Sequence, residues 1–148
     1  MNPNNALIEI LMAEDSPDDR LLAEEAIKFS KLANRLHMVN DGEEAMAFLR
    51  RDEPYANAPT PDLILLDVNM PRKNGLEALV EIKSNPNWKH IPVVMLTSSN
   101  ADADVLKAYQ HHANCYIVKP VDFERFIEVV RSIEHFWFGI VKLPPKKG

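Results

Sequence analysis

The chain has 148 residues, 46% of them hydrophobic, and a formal net charge of -5. That length suits one domain with a sizeable core, and the excess of acids argues against wholesale binding of nucleic acid or an anionic membrane. Cys115 is the only cysteine, no apolar run approaches the ~20 residues of a membrane helix, and Met1 to Asn5 lacks the features of a signal peptide, so a cytoplasmic protein is expected.

Ala6 to Ala13 is short and mostly apolar and predicts a first strand, which ends at Glu14-Asp15. Ser16 then reads as an N-cap, with Pro17 at the first helical position and Asp18 and Asp19 in the first turn of a helix to about Ser30. Leu22, Ala26 and Phe29 recur at helical spacing along it, with Leu21 and Ile27 beside them. Arg35 to Asn40 predicts a second strand. Asp41, with Glu44 three residues on, resembles a capping box for a helix over roughly Glu43 to Arg51 that buries Ala45, Phe48 and Leu49. Pro54, Pro59 and Pro61 make Arg51 to Pro61 an irregular loop. Asp62 to Asp67 is the third strand, a near-continuous apolar run of the kind that is buried on both faces of a parallel sheet. After a loop at Met70 to Gly75, a helix to about Ser84 turns Leu76, Leu79, Val80 and either Ile82 or the stem of Lys83 inward. Ile91 to Leu96 predicts the fourth strand, ending at Thr97, and Ser98-Ser99-Asn100 caps a helix over about Ala101 to His111. Cys115 to Val118 is the fifth strand, ending at Lys119-Pro120. Asp122 caps the last helix, Phe123 to about Phe138.

Strand and helix thus alternate five times, which predicts an α/β protein: a flavodoxin-like, doubly wound, five-stranded parallel sheet in the order 2-1-3-4-5 with five helices. One domain is expected over residues 1–148, its core at about 6–138 and 139–148 a C-terminal extension. In a parallel sheet the carboxyl ends of the strands share one edge. The first strand brings Glu14 and Asp15 there, the third Asp67, the fourth Thr97 and the fifth Lys119. Clustered carboxylates repel one another unless a cation sits among them, and magnesium prefers oxygen ligands. Asp15 and Asp67 are its obvious ligands, with Glu14 acting through water and the Asn69 carbonyl as a further oxygen. Asp67 then reads as a nucleophile whose acyl phosphate is stabilised by Mg2+, Lys119 and the Thr97 hydroxyl.

Glu14-Asp15, Asp62-Leu63-Ile64-Leu65-Leu66-Asp67, Met70-Pro71 with Gly75, Thr97-Ser98 and Lys119-Pro120 together resemble the response-regulator receiver domains of two-component signalling, over about residues 6 to 138. The resemblance implies that Asp67 accepts phosphate from a phosphohistidine on a sensor histidine kinase. It implies a metal pocket of Glu14, Asp15 and the Asn69 carbonyl, a switch hydroxyl on Thr97, a phosphate-stabilising Lys119, and a cis peptide before Pro120. Tyr116 stands where receivers carry an aromatic residue that changes rotamer with phosphorylation. More narrowly, the Arg51-Asp52-Glu53-Pro54-Tyr55 loop, Pro71-Arg72-Lys73-Asn74-Gly75, and Ser132 to Trp137 with Leu143-Pro144-Pro145 resemble the single-domain regulators paired with cyanobacterial and bacterial phytochromes. That implies a bacteriophytochrome-type kinase as donor.

About ten residues follow the last helix, too few for a DNA-binding unit, so output through protein–protein contact with a downstream partner is expected. The last helix carries a core stripe of Phe123, Phe126, Ile127, Val130 and Ile133, and a further apolar set in Val129, Phe136, Trp137 and Phe138. A homodimer or partner surface that includes Phe126, Phe136, Trp137 and Phe138 is expected from that excess. The alternative from the enzyme class is a magnesium-dependent, aspartate-nucleophile phosphatase of the haloacid-dehalogenase type. Its nucleophile follows the first strand with a second aspartate two residues on, whereas Asp67 follows the third and is succeeded by Asn69.

Overall fold

A computed structural model of the chain describes residues 7–29, 33–98, 115–122, 124–126 and 128–129. Its strands are β1 (Ile8–Ala13), β2 (Asn34–Val39), β3 (Leu63–Asp67), β4 (Val93–Thr97) and β5 (Cys115–Val118). All pair in parallel, in the order β2-β1-β3-β4-β5. Between them stand α1 (Pro17–Phe29), α2 (Gly42–Arg50) and α3 (Gly75–Lys83), and residues 124–126 and 128–129 are also helical. This is the doubly wound, flavodoxin-like arrangement that the sequence predicts. The helix expected over 101–111 and most of the last helix lie outside the described residues. No helix among the described residues is long and apolar enough to cross a membrane.

Alternation along the inner strands makes two cores. Ile10 and Met12 of β1, with Leu63 and Leu65 of β3, meet Ala23, Ala26 and Ile27 of α1 and also Phe126 and Val129. Leu11 and Ala13, with Ile64 and Leu66, face the other way onto α2 and α3. Every residue of β3 and β4 is buried, as continuous apolar runs require when helices cover both faces. β4 begins at Val93 rather than Ile91, just after Pro92, which has no N–H to give the ladder.

Several expected faces are corrected. On α1 the inward residues are Ala23, Ala26 and Ile27, whereas Leu21, Leu22 and Phe29 are exposed. Two alanines at the interface let the helix sit close to the sheet, and the i, i+3, i+4 stripe they form with Ile27 excludes the larger residues. On α3 the inward stripe is Gly75, Ala78, Leu79 and Ile82, which leaves Val80 40% exposed. Phe126 is 0% exposed and Val129 8%, both within the domain's own core. Phe126 is therefore a core residue and not part of a partner surface, because it belongs to the apolar layer that α1 shares with one face of the sheet. Phe136, Trp137 and Phe138 lie outside the described residues.

The caps differ in detail. Asp41 does cap α2, accepting the Glu44 N–H at 3.0 Å, but the Glu44 carboxylate accepts from the Asn40 N–H at 2.7 Å, one residue upstream of a reciprocal box. The reciprocal box belongs to α3, where Asn74 and Glu77 each accept the other's N–H at 2.9 Å. The stretch after α2 is tied rather than loose. Arg51, at φ 62°, ends the helix, and its guanidinium donates to the Ala58 carbonyl at 2.7 Å and to Thr60 Oγ1 at 3.2 Å. The Tyr55 ring meets Phe48 at 5.4 Å between centroids.

Candidate functional site

Strand register carries the end residues together. Ala13 pairs with Leu66, so Glu14 follows beside Asp67. Asp67 pairs with Leu96, so Thr97 follows, and Thr97 pairs with Val118, so Lys119 comes next. Asp67 is 4% exposed and its two oxygens are held separately: the Asn69 N–H donates to Oδ1 at 3.2 Å and Lys119 Nζ lies 3.1 Å from Oδ2. Asn69 thus contacts Asp67 through its amide, whereas only its carbonyl was expected to take part.

Lys119 Nζ also lies 2.9 Å from Glu14 Oε1 and 2.8 Å from Asp19 Oδ2. Burial works against its charge, but Asp19, Glu14 and Asp67 prevail and hold the ammonium above its ordinary range. Asp19 reads in the sequence as helix-terminus charge, and the fold makes it a partner of Lys119. It sits in the first turn of α1, where Ser16 Oγ accepts its N–H at 3.3 Å. The Lys119–Pro120 peptide is cis, the isomer that the resemblance implies. Thr97 is buried at the end of β4, its carbonyl accepting the Lys119 N–H at 2.7 Å. Tyr116 is half-buried on β5 against the core layer that α2 and α3 share.

Glu14 is wholly buried, and burial pushes its carboxyl up to about 7; the Lys119 contact opposes this and the Asp67 charge adds to it. Its Oε2 accepts the Ser16 N–H at 3.1 Å. Its Oε1 faces the Lys119 ammonium as an ion pair with no aligned hydrogen bond. Glu14, Asp15 and Asp67 each bring one carboxylate oxygen within 4.8 Å of the others. Three hard oxygens so placed suit a divalent cation.

The loop from β3 into α3 shapes the rim. The Val68 N–H donates to the Leu96 carbonyl at 2.8 Å, and the Gly75 N–H returns to the Val68 carbonyl at 3.1 Å. A Cβ on Gly75 would sit on the Asp67 carbonyl oxygen, so the first turn of α3 can approach only with glycine there. Between them, the Lys73 N–H donates to the Pro71 carbonyl at 2.7 Å around Arg72, whose φ is 63°. This is a γ-turn with a positive central φ, an uncommon conformation for a side-chain-bearing residue.

The response regulator receiver domain family matches residues 10–131. The chain is 46% identical over 135 residues to response regulator Rcp1 of Synechocystis sp., a span of 91% of this chain and 92% of that protein. The crystal structure of the Mn(2+)-bound form of Rcp1 aligns over 90% of this chain and 96% of its own, with a TM-score of 0.74 and 45% identity. The phosphorylated cyanobacterial phytochrome response regulator RcpA gives 0.76 at 45% identity, over 90% and 95% of the two chains. The bacteriophytochrome response regulator RtBRR gives 0.82 at 39% identity, over 95% and 86%.

Proposed function

This chain belongs to the response regulator receiver domain family, and on that premise we propose that Asp67 accepts a phosphoryl group from the phosphohistidine of a sensor histidine kinase. One Asp67 oxygen attacks phosphorus, the bond from phosphorus to the kinase imidazole nitrogen breaks, and the electron pair stays on that nitrogen. Lys119 moves from the Asp67 oxygen to the phosphoryl oxygens, and the Thr97 hydroxyl donates to another. Glu14, Asp15, Asp67 and the Asn69 carbonyl would hold Mg2+, which would supply positive charge to offset that of the carboxylates and the phosphoryl group. Tyr116 reports the change by filling the space that Thr97 leaves.

The observation that carries this reading is the recessed Asp67 carboxylate, held between the Asn69 amide and Lys119 and within reach of two further carboxylates. Two relatives add support: Rcp1 has a Mn(2+)-bound form, and RcpA is a cyanobacterial phytochrome response regulator whose structure is of the phosphorylated protein. A phytochrome-type kinase is accordingly the donor in this reading, and the encounter between the two is cytoplasmic. Output is by protein–protein contact, with a homodimer formed through Phe136, Trp137 and Phe138. The aspartate-nucleophile phosphatase draws no support, since Asp67 ends β3 and the matched family is that of receivers.

Incubation with acetyl phosphate and Mg2+ should give a single acid-stable, base-labile adduct by intact-mass spectrometry, absent without metal and absent in Asp67→Asn. A label that persists in Asp67→Asn, or multiple-turnover hydrolysis of small phosphomonoesters, would overturn the reading.

A further inference from the structure

The loop that carries Asn69 is fastened at a point outside the phosphoacceptor site. Asp41, the N-cap of α2, is a carboxylate only 4% exposed, and a charge so deeply buried demands a partner. Its partner is Arg72, five residues past Asp67. Nε and Nη2 of Arg72 each lie 2.7 Å from Asp41 Oδ2, while Oδ1 accepts the Glu44 N–H. Arg72 occupies the positive-φ centre of the γ-turn, a conformation that persists in a non-glycine residue only when its surroundings impose it. The backbone is gripped beside it as well. The Lys73 carbonyl accepts the Gly42 N–H at 2.9 Å, and a Cβ on Gly42 would sit on that carbonyl. Lys73 Nζ in turn pairs with Glu81 of α3 at 2.9 Å.

The two ends of this short segment thus do different things. At Asn69 the backbone fixes Asp67 Oδ1, and at Arg72, two intervening residues later, the side chain fixes the loop to α2. We propose that the Arg72–Asp41 ion pair is a positioning latch, holding the Asn69 end of the loop in the shape that admits a divalent cation beside Asp67. It sets metal affinity and the rate of phosphorylation although neither side chain belongs to the acidic cluster. The inference rests on the reading of Asp67 as a metal-assisted phosphoacceptor.

The sign of one measurement separates a latch from simple charge. Arg72 is a cation near an acidic pocket, so by Coulomb's law its removal should tighten a metal ion. Loss of a latch should weaken it. Mn2+ affinity is measured by titration of the full chain, following free Mn2+ by electron paramagnetic resonance. Arg72→Ala, which keeps a Cβ at the positive φ, should weaken binding by roughly three- to tenfold, the size of a modest coupling between neighbours. Arg72→Ala leaves Asp41 buried and unpaired, so a second variant guards against misfolding. Asp41→Asn with Arg72→Ala removes one charge of each sign and keeps an oxygen for the Glu44 N–H. It should weaken Mn2+ to a similar degree and slow acetyl phosphate labelling at saturating metal, while Arg72→Lys restores part of both. Unchanged or tighter Mn2+ binding in the double variant would overturn the latch. Failure of the unsubstituted chain to bind Mn2+ or take up phosphate would instead overturn the reading of the Asp67 site.

Discussion

Burial pushes the Glu14 carboxyl up to about 7 from an ordinary 4.5. Between those values the metal-free native state keeps a proton that the unfolded chain has released. The stability this residue contributes is complete below about 4.5 and is lost as pH rises through about 7. A divalent cation competes with the same proton, so its affinity should climb over the same interval. Urea unfolding of the metal-free protein should therefore show a midpoint that falls with rising pH, and Glu14→Gln should remove that component; equal slopes in the two proteins would contradict it. Glu14, Asp15, Asp67, Thr97 and Lys119 were legible in the sequence because each stands where an apolar strand stops, and parallel strands stop together. Asp19 was not legible. An acid in the first turn of a helix is the ordinary complement to the helix dipole, and only the folded topology brings it to Lys119, 100 residues away.

At the scale of elements, the approach of α3 to β3 depends on Gly75. Its missing side chain leaves room for the Asp67 carbonyl, and the Met95 Cε would stand 3.1 Å from an added Cβ. Gly75→Ala should push the first turn of α3 away from β3, destabilising the fold by about 1–3 kcal/mol in chemical denaturation. It should also slow acetyl phosphate labelling, because the displaced loop carries Asn69; wild-type labelling in this variant would argue against the coupling. Element type was readable from periodicity and caps, yet the rotation of α1 and α3 was not. Hydrophobic spacing favours large side chains, so Leu22 and Phe29 outweighed Ala23, while the sheet admits the helix closely only on its alanine stripe. The N-cap role of Asn74 is a short polar signal next to a glycine-containing turn, and it reads as loop until the Glu77 contact is seen.

Over the whole molecule, strand order was legible because chemistry and topology agree: the strands that end in reactive residues are neighbours, and β2, which ends in none, is at the edge. What a single sequence does not divide is one apolar helix into inward and outward residues. Phe126 belongs inside, so Phe126→Ala should cost about 3–5 kcal/mol in unfolding experiments, the range for a fully buried aromatic. Its sedimentation as a folded protein should match the parent chain; a changed association state without lost stability would return Phe126 to the surface. The Arg51 clasp bears on how the molecule can be engineered. With three prolines, the stretch between α2 and β3 looks like the natural place to splice in a tag or a reporter, since loop tips usually tolerate additions. Arg51 reaching Ala58 and Thr60, and Tyr55 seated on Phe48, make this stretch a closed strap over the core. An insertion there would open the strap, so it belongs with the scaffold that cargo must leave intact.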